Sequence, residues 1–134
     1  FPLVYTRVVL VGGTTHPTDA TEVGFLQAAD FAFRDAASKA GSAILEPVMK
    51  FEVAVPEAFL GDVLNDLNRR RAEIGEVETD EATRVIHGTV PIAQMFGYAT
   101  TLRSITQGRG SFSLEPHDYR PVDETVRKRI CGEA

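Results

Sequence analysis

The sequence predicts an α+β protein: a ferredoxin-like βαββαβ domain preceded by a partial β-loop-α unit from a second α+β domain. Three observations predict it. From residue 47 onward, stretches of period-two alternation take turns with stretches of helical spacing in the order βαββαβ. Residues 1–42 supply only a strand, a loop and a helix, which is too little to close a core. The 134 residues, 43% hydrophobic and 25% charged, suffice for one ordinary domain or one and a half small ones. The expected boundaries are therefore 1–42 and 43–134, and the chain reads as a C-terminal piece of something longer.

Taken in order, residues 3–10 are rich in Val and Leu and read as a strand. Val11-Gly12-Gly13-Thr14-Thr15-His16-Pro17-Thr18-Asp19 is a loop, punctuated by two glycines and a proline. Asp19 and Glu22 form an Asp-x-x-Glu capping pattern, which predicts a helix starting near Ala20. Phe25, Ala29, Ala32, Phe33 and Ala36 mark one face of that helix, and Gly41 stops it. Residues 42–48 read as a linker around Pro47. Met49, Phe51, Val53 and Val55 then alternate with Lys50, Glu52 and Ala54, the pattern of a half-buried strand.

Pro56 suits the first turn of the next helix, whose inner face is Leu60, Val63, Leu64 and Leu67. Gly61 inside it costs roughly 1 kcal/mol against alanine, which points to a close backbone contact. Ile74 to Glu78 is a strand, Thr79-Asp80-Glu81 a polar turn, and Arg84 to Val90 a strand with Ile86, Gly88 and Val90 on one face and His87 on the other. Pro91 opens the next helix, on which Met95, Ala99 and Leu102 share a face. Gly108 sits where a helix C-terminus wants a left-handed residue, and Gly110 frees the entry to a last strand over 109–119, with Phe112 and Leu114 on one face. Asp123 to Ile130 reads as a short helix with Val126 and Ile130 inward.

The same residues bear on function. No stretch approaches the roughly 20 apolar residues of a membrane span, and no secretion signal is visible, so no membrane partner is expected. The single cysteine, Cys131, allows no internal disulfide and fits a reducing, cytoplasmic setting. A net charge of −5 argues against a large DNA-binding face but permits local basic patches, of which Arg69-Arg70-Arg71 and Arg127-Lys128-Arg129 are the candidates. There is no Gly-x-x-x-x-Gly-Lys-Ser/Thr phosphate loop. His16, His87 and His117 have no metal-ligand spacing, and no nucleophile–base arrangement is suggested, so neither a catalytic nor a metal site is expected in this chain.

Two features could still bind a ligand. His16 stands at the tip of a glycine-proline loop just before a helix start, a place where a rigid element presents side chains. Position alone favours the plainer reading, a solvated loop histidine. The arginines at 69–71 complement the dipole at the end of their helix, or contact RNA; the residues alone leave both open. The outward strand positions Lys50, Glu52 and His87 lack the aromatic pair of single-strand RNA readers.

Specific runs of residues add to this. Phe96-Gly97-Tyr98-Ala99-Thr100, Leu102-Arg103-Ser104 and Thr106-Gln107-Gly108-Arg109-Gly110-Ser111-Phe112 resemble the signature of the fifth domain of translation elongation factor G. Leu45-Glu46-Pro47-Val48-Met49, Gly61-Asp62-Val63, Asp66-Leu67-Asn68 and Arg70-Arg71 are similar to its earlier part. Gly13, His16, Asp19 and Glu22 align with the second half of the fourth domain.

The resemblance implies a fragment of a translational GTPase that moves tRNA and mRNA through the ribosome. The tip loop Gly13, Thr14, Thr15, His16 and Pro17 would contact the tRNA–mRNA duplex in the decoding region, and Arg70, Arg71 and Arg103 would face ribosomal RNA or the stalk-base protein. GTP and Mg would bind the parent protein upstream, leaving no cofactor in this chain. Thr15 and Pro17 stand where the family usually has an aromatic and an acidic residue, which leaves room for a paralogue specialised for ribosome recycling. A stand-alone α+β protein-binding module is the alternative of a different class, and an unpartnered strand edge in residues 1–42 predicts self-association of the fragment.

Overall fold

A computed structural model describes residues 1–132 and divides the chain into two compact units, Phe1–Ser42 and Ala43–Ala134. In the first unit, helix α1 (Glu22–Ala40) is the only regular element. Its cap differs from the expected one. Thr21, not Asp19, takes the cap position, and its hydroxyl accepts from the Gly24 N–H. Gly41 ends the helix at φ 75°, a backbone angle that favours glycine.

The strand expected over residues 3–10 does not form. A strand is a hydrogen-bonded object, and this segment finds no partner strand within its unit. No residue of the first unit is buried, and Val23, Phe25, Leu26, Phe31 and Phe33 of α1 are all exposed.

The second unit runs β1 (Leu45–Pro56), α2 (Leu60–Arg69), β2 (Glu73–Asp80), β3 (Thr83–Pro91), α3 (Tyr98–Thr106), β4 (Ser111–Pro121) and α4 (Glu124–Cys131), with single 3₁₀ turns at Glu57–Phe59 and Ile92–Gln94. The strands form one antiparallel sheet in the order β2-β3-β1-β4. That order, with α2 and α3 in the two crossovers, is the ferredoxin-like arrangement.

Expected linker residues at 45–48 instead belong to β1, Pro47 among them. Pro47 is tolerated because β1 there pairs only with β4, opposite Tyr119; its pairing with β3 begins at Val48. The register slips between Val48 and Met49, so the alternation of buried positions shifts there.

The core lies between the sheet and the two helices. Phe51, Val53 and Val55 of β1 and Ile86 and Val90 of β3 meet Val63 and Leu67 of α2 and Tyr98 and Leu102 of α3. Gly88 pairs with Phe51 across the strands, and a Cβ there would strike the Phe51 ring and the Glu73 carbonyl. Gly61 is different: its Cβ position is open, so the expected close contact is absent.

Helix α3 starts later than expected. Pro91 ends β3, a single 3₁₀ turn follows, and the helix begins at Tyr98 behind Gly97 at φ 74°. Its buried face is Tyr98, Leu102 and Thr106, while Ala99 is exposed and Met95 packs from outside the helix. Asp123 caps α4 by accepting from the Val126 N–H at 2.8 Å; Val126 is half-buried, but Ile130 points outward.

Candidate nucleic-acid interface

The expected site residues fall in both units, and each set has its own local cause. In the first unit, Gly12 and Gly13 face open space, and Gly13, Thr14, Thr15, His16 and Pro17 are all exposed. A tight turn forms the tip. The His16 carbonyl accepts from the Asp19 and Ala20 N–H groups, at 3.1 and 3.0 Å. The imidazole folds back over that turn. Its Nδ1 lies 2.6 Å from the Thr18 hydroxyl, 3.4 Å from the Thr18 backbone nitrogen and 3.8 Å from the Asp19 carboxylate. The ring remains 71% exposed, so the loop displays the histidine rather than packing it.

In the second unit, Arg70 is held from several sides. Its Nε donates to Asp66 at 2.7 Å, one guanidinium N–H group donates to the Gln94 carbonyl at 2.5 Å, and another to the Thr101 hydroxyl at 3.2 Å. The guanidinium carbon lies 5.0 Å from the centre of the Tyr98 ring, a cation–π distance. Arg70 thereby ties the end of α2 to the start of α3.

Arg71 has φ 62° and donates to Glu46 at 2.6 Å. Arg103 stands exposed on α3, and its guanidinium has no ion pair among the described residues. Arg69 is also exposed, in the last turn of α2. The sequence distinguished Arg70 and Arg71 only by resemblance; their partners Gln94, Thr101 and Glu46 lie too far along the chain for local spacing to reveal.

Tyr98 completes the node. Its ring stacks edge-on against Phe112 at 5.0 Å, and its hydroxyl is buried without a hydrogen-bond partner. Burial, reinforced by the nearby Asp66 carboxylate and opposed by Arg70, pushes the phenol well above its ordinary range. Beyond it, the Thr106 hydroxyl donates to the Leu102 carbonyl at 2.7 Å and accepts from the Gly110 N–H at 2.9 Å, fixing the turn from α3 into β4.

On the other face of the sheet, His87 lies 3.6 Å from Glu78 and 3.9 Å from Glu52. Among the described residues no group of three or more His, Cys, Asp or Glu is placed to hold a metal, and no helix is long and apolar enough to cross a membrane.

The geometry defines an α+β module with a helical layer bearing arginines, joined in sequence to a helical unit headed by a displayed histidine loop. Residues 43–130 match the family described as Elongation factor G C-terminus, and the chain belongs to that family. An elongation factor G from Aquifex pyrophilus is 45% identical over 133 residues, which cover 99% of this chain and 19% of that protein. A crystal structure of a protein from Thermus thermophilus is similar with a TM-score of 0.78 at 34% identity, over 91% of this chain and 18% of the other. The chain thus spans less than a fifth of the length of either relative.

Proposed function

We propose that the chain is the ribosome-binding C-terminal part of a translational GTPase that promotes movement of tRNA and mRNA during protein synthesis in the cytoplasm. One observation carries the reading. The 45% identity to an elongation factor G runs over 99% of the chain, so it takes in the His16 loop as well as the ferredoxin-like unit. Residues 1–42 are then the second half of the factor's fourth domain, and residues 43–134 are its fifth. GTP and Mg belong to upstream domains, and this part acts by position. The loop Gly13–Pro17 enters the decoding region with His16 against the tRNA–mRNA duplex, filling the site that tRNA has vacated and hindering its return.

Arg103, together with Arg70 and Arg71 from the earlier run, faces ribosomal RNA or protein at the stalk base. Arg103 is the clean probe of that contact, because Arg70 and Arg71 are also engaged within the fold. Arg103→Ala in the full-length factor is expected to weaken ribosome binding and to lower the salt slope by about one. An unchanged slope removes Arg103 from the interface.

The central test is His16→Ala in the full-length factor. Translocation slows while GTP hydrolysis stays near the parent rate; equal translocation rates sink the assignment. Exposed Val23, Phe25, Leu26, Phe31 and Phe33 favour a second reading, in which the chain is a protein-binding module that also self-associates. A reading frame with a phosphate loop several hundred residues upstream decides against that module. Thr15 and Pro17 leave room for a recycling paralogue, which would show ribosome splitting in place of translocation.

A further inference from the structure

We propose that one end of the sheet's outer face holds a binding site for a single phosphate oxyanion, gripped by Arg71 and Arg120. The site goes beyond the ribosomal reading and is tested without it.

Cross-strand partners in a sheet point to the same face. Glu46 pairs with Arg120, Val48 with Pro91 and Glu73 with Thr89. By alternation along β1 and β3, these residues stand opposite the face of Phe51, Val53, Ile86 and Val90 that packs on α2 and α3. Farther along this outer face Lys50 and Glu52 are exposed. At this end, by contrast, Val48 is 4% exposed and Glu46 9%. With Arg71, Glu73, Thr89 and Arg120 they line a cavity of about 130 Å³.

Two arginines enter it from distant parts of the chain. Arg71 follows α2 with φ 62°, a left-handed backbone that strains any residue but glycine. Its Nη2 donates to Glu46 at 2.6 Å. Arg120 of β4 donates from Nη1 to Glu73 at 2.8 Å and from Nε to Asp118 at 3.2 Å. Glu73 also accepts from the Thr89 hydroxyl at 3.4 Å. Since β2 and β4 are the two edges of the sheet, the Arg120–Glu73 pair reaches across the face between them.

The remaining donors make the site. Among the described residues Arg71 has no partner for Nε and Nη1, and Arg120 none for Nη2. The carboxylates hold both guanidiniums in place, and the unused N–H groups can meet a further acceptor. Size selects the ligand: pockets for drug-sized molecules begin near ~300 Å³, so this one suits a lone ionic group. A tetrahedral phosphate offers oxygens in several directions, matching donors that arrive from separate walls. Glu46, Glu73 and Asp118 offset the two positive charges, so binding rests on the hydrogen bonds and is roughly millimolar. Glu46 competes with the ligand for Arg71.

The 134-residue chain, labelled with ¹⁵N, is titrated with sodium phosphate against sodium chloride at constant ionic strength. The arginine Nε–Hε signals report binding. Those of Arg71 and Arg120 are expected to move together and saturate, while that of exposed Arg103 does not saturate. Arg71→Gly, which suits the left-handed backbone, and Arg120→Gln each weaken phosphate binding about ten-fold, the size of one charge-assisted hydrogen bond. Glu46→Gln, which keeps the shape and removes the competitor, tightens it about three-fold. Ion pairs that only hold the fold together would not give opposite signs.

A short single-stranded RNA oligonucleotide forms the second arm. Saturation by both probes assigns the site to backbone phosphate, and saturation by inorganic phosphate alone assigns it to the free ion. Shifts that never saturate with either probe, or equal affinities in the parent, Arg120→Gln and Glu46→Gln, overturn the proposal.

Discussion

Tyr98 shows how a single side chain carries two roles at cross purposes. Its ring gives the core an edge-on contact with Phe112 and a seat for the Arg70 guanidinium, while its hydroxyl is buried and unpartnered. A buried hydroxyl without a partner loses its water and gains nothing in return. Tyr98→Phe is therefore expected to leave stability within about 1 kcal/mol of the parent at neutral pH, on the stabilising side.

The pH dependence has a definite sign. The folded phenol sits above its unfolded value of about 10, so the folded state holds the proton more tightly. That contribution is fully present below about pH 10 and is lost as pH rises through the folded value. Urea unfolding across this range should show the parent losing stability relative to Tyr98→Phe above about pH 10. Parallel curves would remove Tyr98 as the cause. None of this is legible from the Phe96-Gly97-Tyr98 run itself, because Asp66 and Phe112 reach Tyr98 from elsewhere in the chain.

The elements divide by how local their causes are. Helix α2 is written in Leu60, Val63, Leu64 and Leu67, and the structure buries or half-buries all four. Gly61 broke that pattern and invited a packing explanation, but its Cβ position faces open space. Glycine there is simply a poor helix former at the second helical position. Gly61→Ala is expected to stabilise the unit by about 0.5 kcal/mol, read as a higher urea midpoint at constant slope. A destabilised variant would mean that an unseen partner approaches α2 at this point.

Helix α3 was harder to bound. Pro91 is a valid helix opener by local rules, yet here it completes the pairing with Val48, and the 3₁₀ turn postpones the helix to Tyr98. The face read as Met95, Ala99 and Leu102 becomes Tyr98, Leu102 and Thr106, because the 3₁₀ turn leaves Met95 outside the helix and the side that packs on the core is the one carrying Tyr98.

The whole molecule pairs a unit with a closed core and a unit without one. In residues 43–132 the sheet and helices enclose Phe51, Val53, Val55, Val63, Leu67, Ile86, Val90, Tyr98 and Leu102; in residues 1–42 nothing is buried. Local stability follows buried apolar contact. Brief digestion with a nonspecific protease is therefore expected to remove residues 1–42 first and leave a resistant fragment starting near Ala43. Mass spectrometry identifies the cut, and equal resistance of both units would show that residues 1–42 find a partner surface in solution. The same exposure accounts for the missing strand over 3–10. Val and Leu content gave it the composition of a strand, but composition supplies no neighbour to pair with.

The ferredoxin-like order, the faces of α2 and β3, the glycine stops at 41 and 108 and the family are all legible in the sequence, because each is carried by spacing or by a contiguous run of residues. The loop tip and the arginines were named there too, as residue types in exposed or terminal places. Tertiary structure alone decided what those residues are free to do. It committed Arg70 to Asp66, Gln94, Thr101 and the Tyr98 ring, paired Arg71 with Glu46, and turned His16 onto Thr18. The physical reason is that a hydrogen bond is a matter of distance and direction between atoms. Partners such as Arg70 and Thr101, 31 residues apart, meet only when the sheet has brought their helices together.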